Sequence, residues 1–334
     1  MSALKLEKRG SGLLLEYNKV RLAFDIGLSS VTTLLSHAHT DHTKNLFAAK
    51  HLIATAETLD TLFARNEGTA LRASTIEYDQ TIFLDDVRVT ALNAGHVLGS
   101  AMFLLEFDDG LEVLYTGDYN VVDSVVHRAA KARHADVLIT EATYGSPEWV
   151  FPERDQVHKM ILEAARTELD RGRIPLFRAY SLGKAQEAIA VLQSGGFEVL
   201  SGNRIIDDIS KVYTKHGTLL NYTPLESTRG LSMLERECVI VSSSPGHTFA
   251  GLERTLGEER AHDIRNMTST FALSGWALRE LNNSGFPLSA HADFPGLMAF
   301  TGAVKPRIVY CFTGNARRFC SELAKVGMSA VPLE

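Results

Sequence analysis

The sequence predicts an α/β protein, and three observations carry that prediction. The first half is rich in short apolar runs separated by turn residues. From about Ser146 onward, helical and strand patterns alternate, the signature of a parallel sheet flanked by helices. From about Phe286 the strand signals return. The layout is a strand-rich part, an inserted α/β segment and a return: residues 1–146 with 287–334, and 147–286 between them.

"GLLLEY" and "VRLAF" open the chain as strands, joined by Asn18-Lys19 as a hairpin. "VTTLLS", "HLIAT", "VRVTALNA", "AMFLLEF", "LEVLYTG" and "DVLITEA" follow as further strands. Turn residues such as Asp108-Asp109-Gly110 separate several of them. A helix is expected from Thr40 or Asp41 through "TKNLFAAK". Beyond Ser146, "RDQVHKMILEAARTELD" sets Val157, Met160, Ile161, Ala164 and Ala165 on one helical face. "RIPLF" reads as a buried strand, and "SLGKAQEAIAVLQ" as a helix with Leu182, Ala185, Ile189 and Leu192 inward. "FEVL", "RIIDDISKVYTKHG", "CVIVSS" and "STFALSG" continue the alternation. "RIVYCF" and "SAVPLE" close the chain as strands.

Composition narrows the class. With 45% apolar and 22% charged residues in 334, the chain is ordinary globular protein, long enough for one large domain or two smaller ones. No apolar run approaches the ~20 residues of a membrane span. "MSALKLEKRG" lacks the apolar core of a signal peptide. Cys238, Cys311 and Cys320 are odd in number and show no paired spacing, which fits a reducing compartment. A cytoplasmic protein with no membrane association is expected. The formal charge of −6 counts mildly against a nucleic-acid partner. Total charge does not report local charge, however, and cations in a carboxylate-rich site reverse the field a substrate meets.

The stretch "SHAHTDH", residues 36–42, carries the chemistry. "VTTLLS" is a buried strand, and His37 lies just past its end. In extended chain, positions i and i+2 point the same way, so His37 and His39 reach one point. A turn into helix would carry Asp41 and His42 toward a neighbouring point. One loop thus offers two ligand pairs, suited to two metals a few ångströms apart. Imidazole and carboxylate suit zinc, and also manganese or iron. Four such side chains after a buried strand would bear heavy desolvation costs without a cation. Further polar residues close apolar strands: His96 in "NAGHVLGSA", Asp118 in "LEVLYTGDYN", Glu141 in "VLITEATYG" and His291 in "PLSAHADF". His96 taken alone reads equally as an ordinary turn histidine. His51, His127, His134, His158, His216 and His262 read as surface or capping residues.

"HAHTDH" resembles the H-x-H-x-D-H signature of the metallo-β-lactamase fold hydrolases, with Asp25 in "AFDIG", His96 and Asp118 where that family has its other motifs. "TEATYG", "RIPLFRAYSLGKAQEA", "VSSSPGHTFAGL", "FALSGWALRE" and "LSAHADFPGL" resemble its β-CASP branch of nucleases. That branch includes the pre-mRNA 3′-end endonuclease, RNase J, Artemis-type nucleases and a ligase-associated DNA exonuclease. The resemblance covers nearly the whole chain. It implies an αββα metallo-β-lactamase sandwich with an inserted α/β β-CASP cassette. It implies that His37, His39 and His96 hold one metal with Asp118 bridging, and that Asp41 and His42 hold a second. Asp25 would stand behind the ligands and orient one. Glu141 would position His291, which would contact the scissile phosphate or protonate the leaving oxygen. Gly99, Ser100, Ser181 and Lys184 are candidates to bind phosphate, although Lys184 reads equally as a solvated lysine. Arg171, Arg173, Lys184, Arg317 and Arg318 are the nearest approach to a basic set.

One position departs from the family. Where a histidine is frequent, "RIVYCFTGNARRF" places Thr313, beside the second metal but unable to ligate it as an imidazole would. The expected cofactors are therefore two divalent ions, zinc first and manganese second, with the second site weaker. The expected activity is metal-dependent hydrolysis of single-stranded DNA or RNA, from the 5′ end on family resemblance, with endonuclease action also open. Two rivals stand beside it: a small-molecule hydrolase of the same fold acting on thioesters, lactones or β-lactams, and a non-catalytic nucleic-acid-processing subunit. For oligomeric state the sequence holds no signal.

Overall fold

The computed structural model describes residues 4–65, 72–279 and 285–334. The chain divides into two compact units: Met1–Asp123, His127–Val150 and His291–Glu334 form one, and Ser124–Val126 with Phe151–Ala290 the other.

The first unit begins with a mixed sheet in the order of the chain: β1 (Lys5–Arg9), β2 (Gly12–Tyr17), β3 (Val20–Phe24), β4 (Thr32–Leu34), β5 (His51–Ala54) and β6 (Ala73–Thr75). Helix α1 (Ala56–Ala64) leaves β5 through Thr55, whose side chain caps it by accepting from the Thr58 N–H. A second sheet follows with β7 (Thr81–Leu84), β8 (Val87–Asn93), β9 (Ala101–Phe107), β10 (Glu112–Tyr115) and β11 (Val137–Thr140).

The second unit adds α2 (Arg154–Asp170), β12 (Ile174–Arg178), α3 (Lys184–Ser194), β13 (Val199–Ser201), α4 (Arg204–Lys215), β14 (Thr223–Pro224), α5 (Thr228–Met233), β15 (Val239–Ser242), α6 (Pro245–Leu256), α7 (Glu258–Asn266), β16 (Thr268–Leu273) and β17 (Gly285–Phe286). The chain then returns to the first unit with α8 (Phe294–Val304), β18 (Ile308–Cys311), α9 (Ala316–Lys325) and β19 (Ala330–Pro332). The second sheet thereby reaches the order β19-β18-β11-β10-β9-β8-β7.

Period-two alternation assigns the layers. Leu13 and Leu15 of β2 and Phe24 of β3 face Phe103 and Leu105 of β9, Tyr115 of β10 and Ile139 of β11 in one core between the sheets. The alternate residues of the second sheet, Leu104, Leu114, Leu138 and Val309, turn to its other face under Leu297 and Phe300 of α8 and Phe319 and Leu323 of α9. Both faces are covered, so these strands read as continuous apolar runs. This is the αββα sandwich.

The second unit has an all-parallel sheet, β14-β13-β15-β12-β16-β17. On one face Phe177, Val199 and Val241 meet α2 and α3; on the other Leu176, Leu200 and Ile240 meet α6 and α7. Leu182, Ala185, Ile189 and Leu192 are all buried, as the helical spacing predicts. On α2 the buried stripe is Val157, Ile161 and Ala165, whereas Met160 is 41% exposed. The stripe follows i, i+4, i+8, and Met160 falls on its solvent edge.

The helix expected from Thr40 or Asp41 through residue 50 does not form. Asn45 takes a left-handed conformation and only Leu46–Ala48 makes a 3-10 turn. Ile26 bridges Lys44, and the Gly27 N–H donates to the Lys44 carbonyl at 3.0 Å. That pairing holds Lys44 beside Gly27 and breaks any helix there, and a Cβ on Gly27 would meet the Asn45 carbonyl oxygen at 1.8 Å. Tertiary pairing overrides local helix propensity here. No helix among the described residues is long and apolar enough to cross a membrane.

Phe103 is fully buried between the two sheets. Phe103→Ala is expected to cost about 3–5 kcal/mol through lost burial and the cavity left behind. Denaturant unfolding with an unchanged slope measures it.

Candidate metal centre

The order of the strands assembles the site. β8 runs antiparallel to β9 and β9 to β10, while β10, β11 and β18 are mutually parallel. β8, β10, β11 and β18 therefore all end at one edge of the second sheet. The loops beyond them carry His96, Asp118, Glu141 and Thr313. His37, past β4 of the first sheet, meets the same edge: its ring centroid lies 4.7 Å from that of His96. Gly117 permits this approach, since a Cβ there would stand 2.5 Å from Ser36 Cβ.

Three imidazoles converge. His39 Nδ1 lies 3.0 Å from His37 Nε2 and 3.0 Å from His96 Nε2. Asp118 Oδ2 lies 3.6 Å from the first of those Nε2 atoms and 3.8 Å from the second. Hydrogen bonding decides where the protons are. The Ser36 hydroxyl has one proton, and at 2.7 Å from Asp25 Oδ2 it donates there. Its oxygen then accepts from His37 Nδ1 at 2.9 Å. Burial, and then the neighbouring imidazoles, hold His37 well below the usual range, so the ring is neutral and its Nε2 presents a lone pair. One proton cannot serve two contacts at His39 Nδ1. Lone pairs therefore face one another, and a cation resolves that conflict. Tetrahedral ligands at about 2.0–2.1 Å from zinc sit on the order of 3.3 Å apart, close to these separations.

A second convergence lies beside the first. His42 Nδ1 donates to Asp25 Oδ2 at 2.8 Å, which turns Nε2 toward Asp118 Oδ2 at 3.4 Å and Asp41 Oδ2 at 3.6 Å. Burial opposes a charged His42, but the carboxylates of Asp118 and Asp25 outweigh it and lift the ring well above its usual range. The pocket calls for positive charge at that nitrogen. The Asp41 side chain is largely exposed and His42 buried, so this half of the cluster opens to solvent.

Asp25 touches neither converging set of nitrogens directly. It is fully buried and accepts from Ser36 N at 2.6 Å, the Ser36 hydroxyl, His42 and the Tyr115 hydroxyl at 2.7 Å. The roles of Ser36 and Tyr115 do not follow from the motif residues alone. Ser36 had one available signal, its place directly before the motif. Tyr115 had none, being 90 residues from its partner.

Glu141 is buried and grips His291 Nδ1 through both oxygens, at 2.9 and 3.0 Å. It also accepts from Tyr119 N at 2.8 Å and Thr143 N at 3.3 Å. The His291 ring lies 4.5 Å from that of His96. The buried Thr313 hydroxyl has no hydrogen-bond partner among the described residues.

The residues expected to contact phosphate have these surroundings. Ser100 is fully buried, and its hydroxyl oxygen accepts from His96 N at 3.1 Å and Val97 N at 3.2 Å, shaping the loop. The Gly99 carbonyl accepts from Thr55 and Thr58. Ser181 and Lys184 belong to the second unit, and Lys184 is buried with its ammonium 4.5 Å over the Tyr180 ring rather than solvated. The basic set is locally balanced: Arg171 and Arg173 pair with Glu168, Arg317 with Glu334 and Arg318 with Glu322. His158, expected at the surface, contacts Glu187 at 2.8 Å with little exposure.

The beta-lactamase superfamily domain matches residues 29–172. The "Probable DNA ligase" of Opitutus terrae is 29% identical over 316 residues, 89% of this chain and 28% of that protein. The "RNase J-like protein" of Methanocaldococcus jannaschii is 28% identical over 54% of this chain and 50% of its own length. "Cleavage and polyadenylation specificity factor subunit 3" of Dictyostelium discoideum is 26% identical over 77% of this chain and 38% of its own length. The chain spans half or less of the length of these relatives. A solved Enterococcus faecalis protein of unknown function superposes with a TM-score of 0.66 over 99% of this chain and 97% of that one; at 14% identity it shares the fold alone. Residues 29–172 thus carry a beta-lactamase superfamily domain. Divalent metal binding goes with that fold, and the donor clusters fit it.

Asp25→Asn keeps the size of the side chain but weakens its grip on His42. Removing a group that orients a ligand is expected to lower metal affinity about 10–100-fold at the His42 position. Chelator titration against metal content checks it, with the His37, His39 and His96 position as the internal reference.

Proposed function

We propose that the chain is a metal-dependent phosphodiesterase acting on single-stranded nucleic acid. The convergence of neutral imidazole nitrogens and shared carboxylate at one sheet edge, with the Glu141–His291 pair alongside, is the observation that carries the reading. Relatives named as an RNase J-like protein and as a cleavage factor subunit support it. The second unit is read as the cassette expected over 147–286, and action from the 5′ end is the preferred polarity.

In this reading His37, His39, His96 and Asp118 would hold one ion, and Asp41, His42 and Asp118 a second, with zinc preferred and manganese next. When bound, divalent cations supply positive charge for phosphate oxygens and make water more acidic. The chain's own residues do the rest. Asp25 and Ser36 hold protons on the far nitrogens of His42 and His37, keeping the near nitrogens open for ligation. Glu141 holds the proton on His291 Nδ1, so chemistry at this ring falls to Nε2. A proton there makes an imidazolium whose charge Glu141 balances and which can be given to the leaving oxygen. Thr313 supplies no imidazole, so the second ion is expected to be held more weakly than the first.

A time course on matched 5′- and 3′-labelled single-stranded DNA and RNA, with zinc and with manganese, tests activity, substrate and polarity together. No cleavage of any strand, with hydrolysis of a thioester or lactone instead, would move the protein to the small-molecule class. Asp118→Ala is expected to abolish hydrolysis and release metal with the fold retained; near wild-type turnover would end the shared-carboxylate scheme. His291→Ala is expected to slow turnover by about two to four orders of magnitude with metal content little changed. Loss of metal from that variant would make His291 a ligand instead.

A further inference from the structure

The connection between β10 and β11 carries charge that the mechanism above leaves unused. Residues 127–134, "HRAAKARH", include Arg128, Lys131 and Arg133 and no acid, in a chain whose net charge is −6. Hydrogen bonds fix where this stretch lies on the first unit. Asn93 Nδ2 donates to the carbonyls of Arg128 at 2.9 Å and Ala129 at 3.3 Å. Ala130 N donates to the Asn120 carbonyl at 2.7 Å, and Ala129 N to Asp123 Oδ1 at 2.7 Å. Gly95 permits the approach: its φ is +69°, and a Cβ there would stand 2.7 Å from the Arg128 carbonyl oxygen. Gly95 directly precedes His96, and Asn120 closely follows Asp118. The stretch therefore starts at the edge of the second sheet where the metal donors converge. It leads to Asp136, whose Oδ2 accepts from Glu112 N at the head of β10, at the opposite edge.

Along this path small and long side chains divide. Ala130 and Ala135 are buried in the apolar layer on the outer face of the sheet, with Ala132 half-buried beside them. Arg128, Lys131 and Arg133 are exposed. Their charges are not neutralised within the unit. Arg128 approaches Asp123 at 3.6 Å between side chains 85% and 61% exposed, a contact worth little. Lys131 and Arg133 have no hydrogen-bond or ion-pair partner among the described residues. Other exposed arginines of the same unit do face a carboxylate: Arg9 pairs with Glu7, Arg21 with Glu16 and Arg88 with Glu106. The three open cations are spread along a line from one sheet edge toward the other, not gathered into one pocket. That arrangement suits a chain of phosphates better than a single anion, since each cation that meets a phosphate releases a counterion.

We propose that Arg128, Lys131 and Arg133 form a track for the phosphates of a single-stranded nucleic acid running to or from the metal centre. The choice of partner rests on the phosphodiesterase reading; the track is tested by binding. Fluorescence anisotropy of a labelled single-stranded oligonucleotide is followed over a salt series, in a His291→Ala background so that the strand persists. Each phosphate contact contributes about 0.7 to the slope of log affinity against log salt on a single strand. Arg128→Gln with Lys131→Gln and Arg133→Gln is expected to weaken binding and flatten the slope by about 2, and Lys131→Gln alone by about 0.7. Arg9→Gln with Arg21→Gln and Arg88→Gln makes the same change in net charge and is expected to leave the slope as it was. All six side chains are exposed, so the fold is expected to hold in both triple variants. An unchanged slope in the first triple variant, an equal loss in the second, or no strand binding by the parent would overturn the proposal. Lost binding to phosphatidylserine vesicles with strand binding intact would overturn it too, and give the stripe to a membrane surface. If the strand binds with the expected slopes but the wild-type protein never cleaves it, the phosphodiesterase reading fails and the track stands.

Discussion

The buried carboxylate of Asp25 is the constraint around which the first unit is organised. A carboxylate without exposure is costly unless hydrogen bonds replace its hydration. Four donors do so here: Ser36 N, the Ser36 hydroxyl, His42 Nδ1 and the Tyr115 hydroxyl. They come from the chain past β4, from the histidine loop and from β10 of the other sheet. The carboxylate therefore ties both sheets to the loop between them. Asp25 adopts a left-handed conformation, φ 55°, to face inward. Moving any one donor away leaves a buried charge short of a partner, so the loop and the sheets hold one arrangement.

That arrangement sets chemistry as well as geometry. Asp25 accepts the hydrogen bond of His42 Nδ1–H, and through Ser36 it directs the proton of His37. The nitrogens left open are the ones that converge on Asp118. Glu141 repeats the logic at His291. Buried carboxylates thus select tautomers, and the selected tautomers define where a cation fits. The net charge of −6 gives no hint of this, because the charges that matter are a few buried groups and the ions they would hold. The expected basic residues illustrate the same point from the other side: most already face a carboxylate.

Edge alignment explains why residues from distant segments form one centre. β8, β10, β11 and β18 end together, so a polar residue after each apolar strand arrives at a common edge. A polar residue that ends an apolar run is legible one strand at a time, as at His96, Asp118 and Glu141. Ser100 has the same local signal, yet its hydroxyl is spent on the backbone of the His96 loop. A residue type shows which hydrogen bonds are possible, and only its neighbours show which are made.

By itself the sequence determined the strand-rich frame, the inserted alternation and the donor set of "HAHTDH", because periodicity and residue chemistry are local properties. It also determined that position 313 carries no imidazole. Tertiary structure decided the rest. It replaced the helix expected from Thr40 or Asp41 through residue 50 with turns and one short 3-10 segment held against Gly27, left Met160 at the solvent edge of its helix, and brought Tyr115 to Asp25. It placed His158, expected at the surface, on a buried carboxylate. Each outcome depends on a partner distant in the chain. Hydrogen-bond satisfaction and burial are settled between such partners, so no local pattern records them.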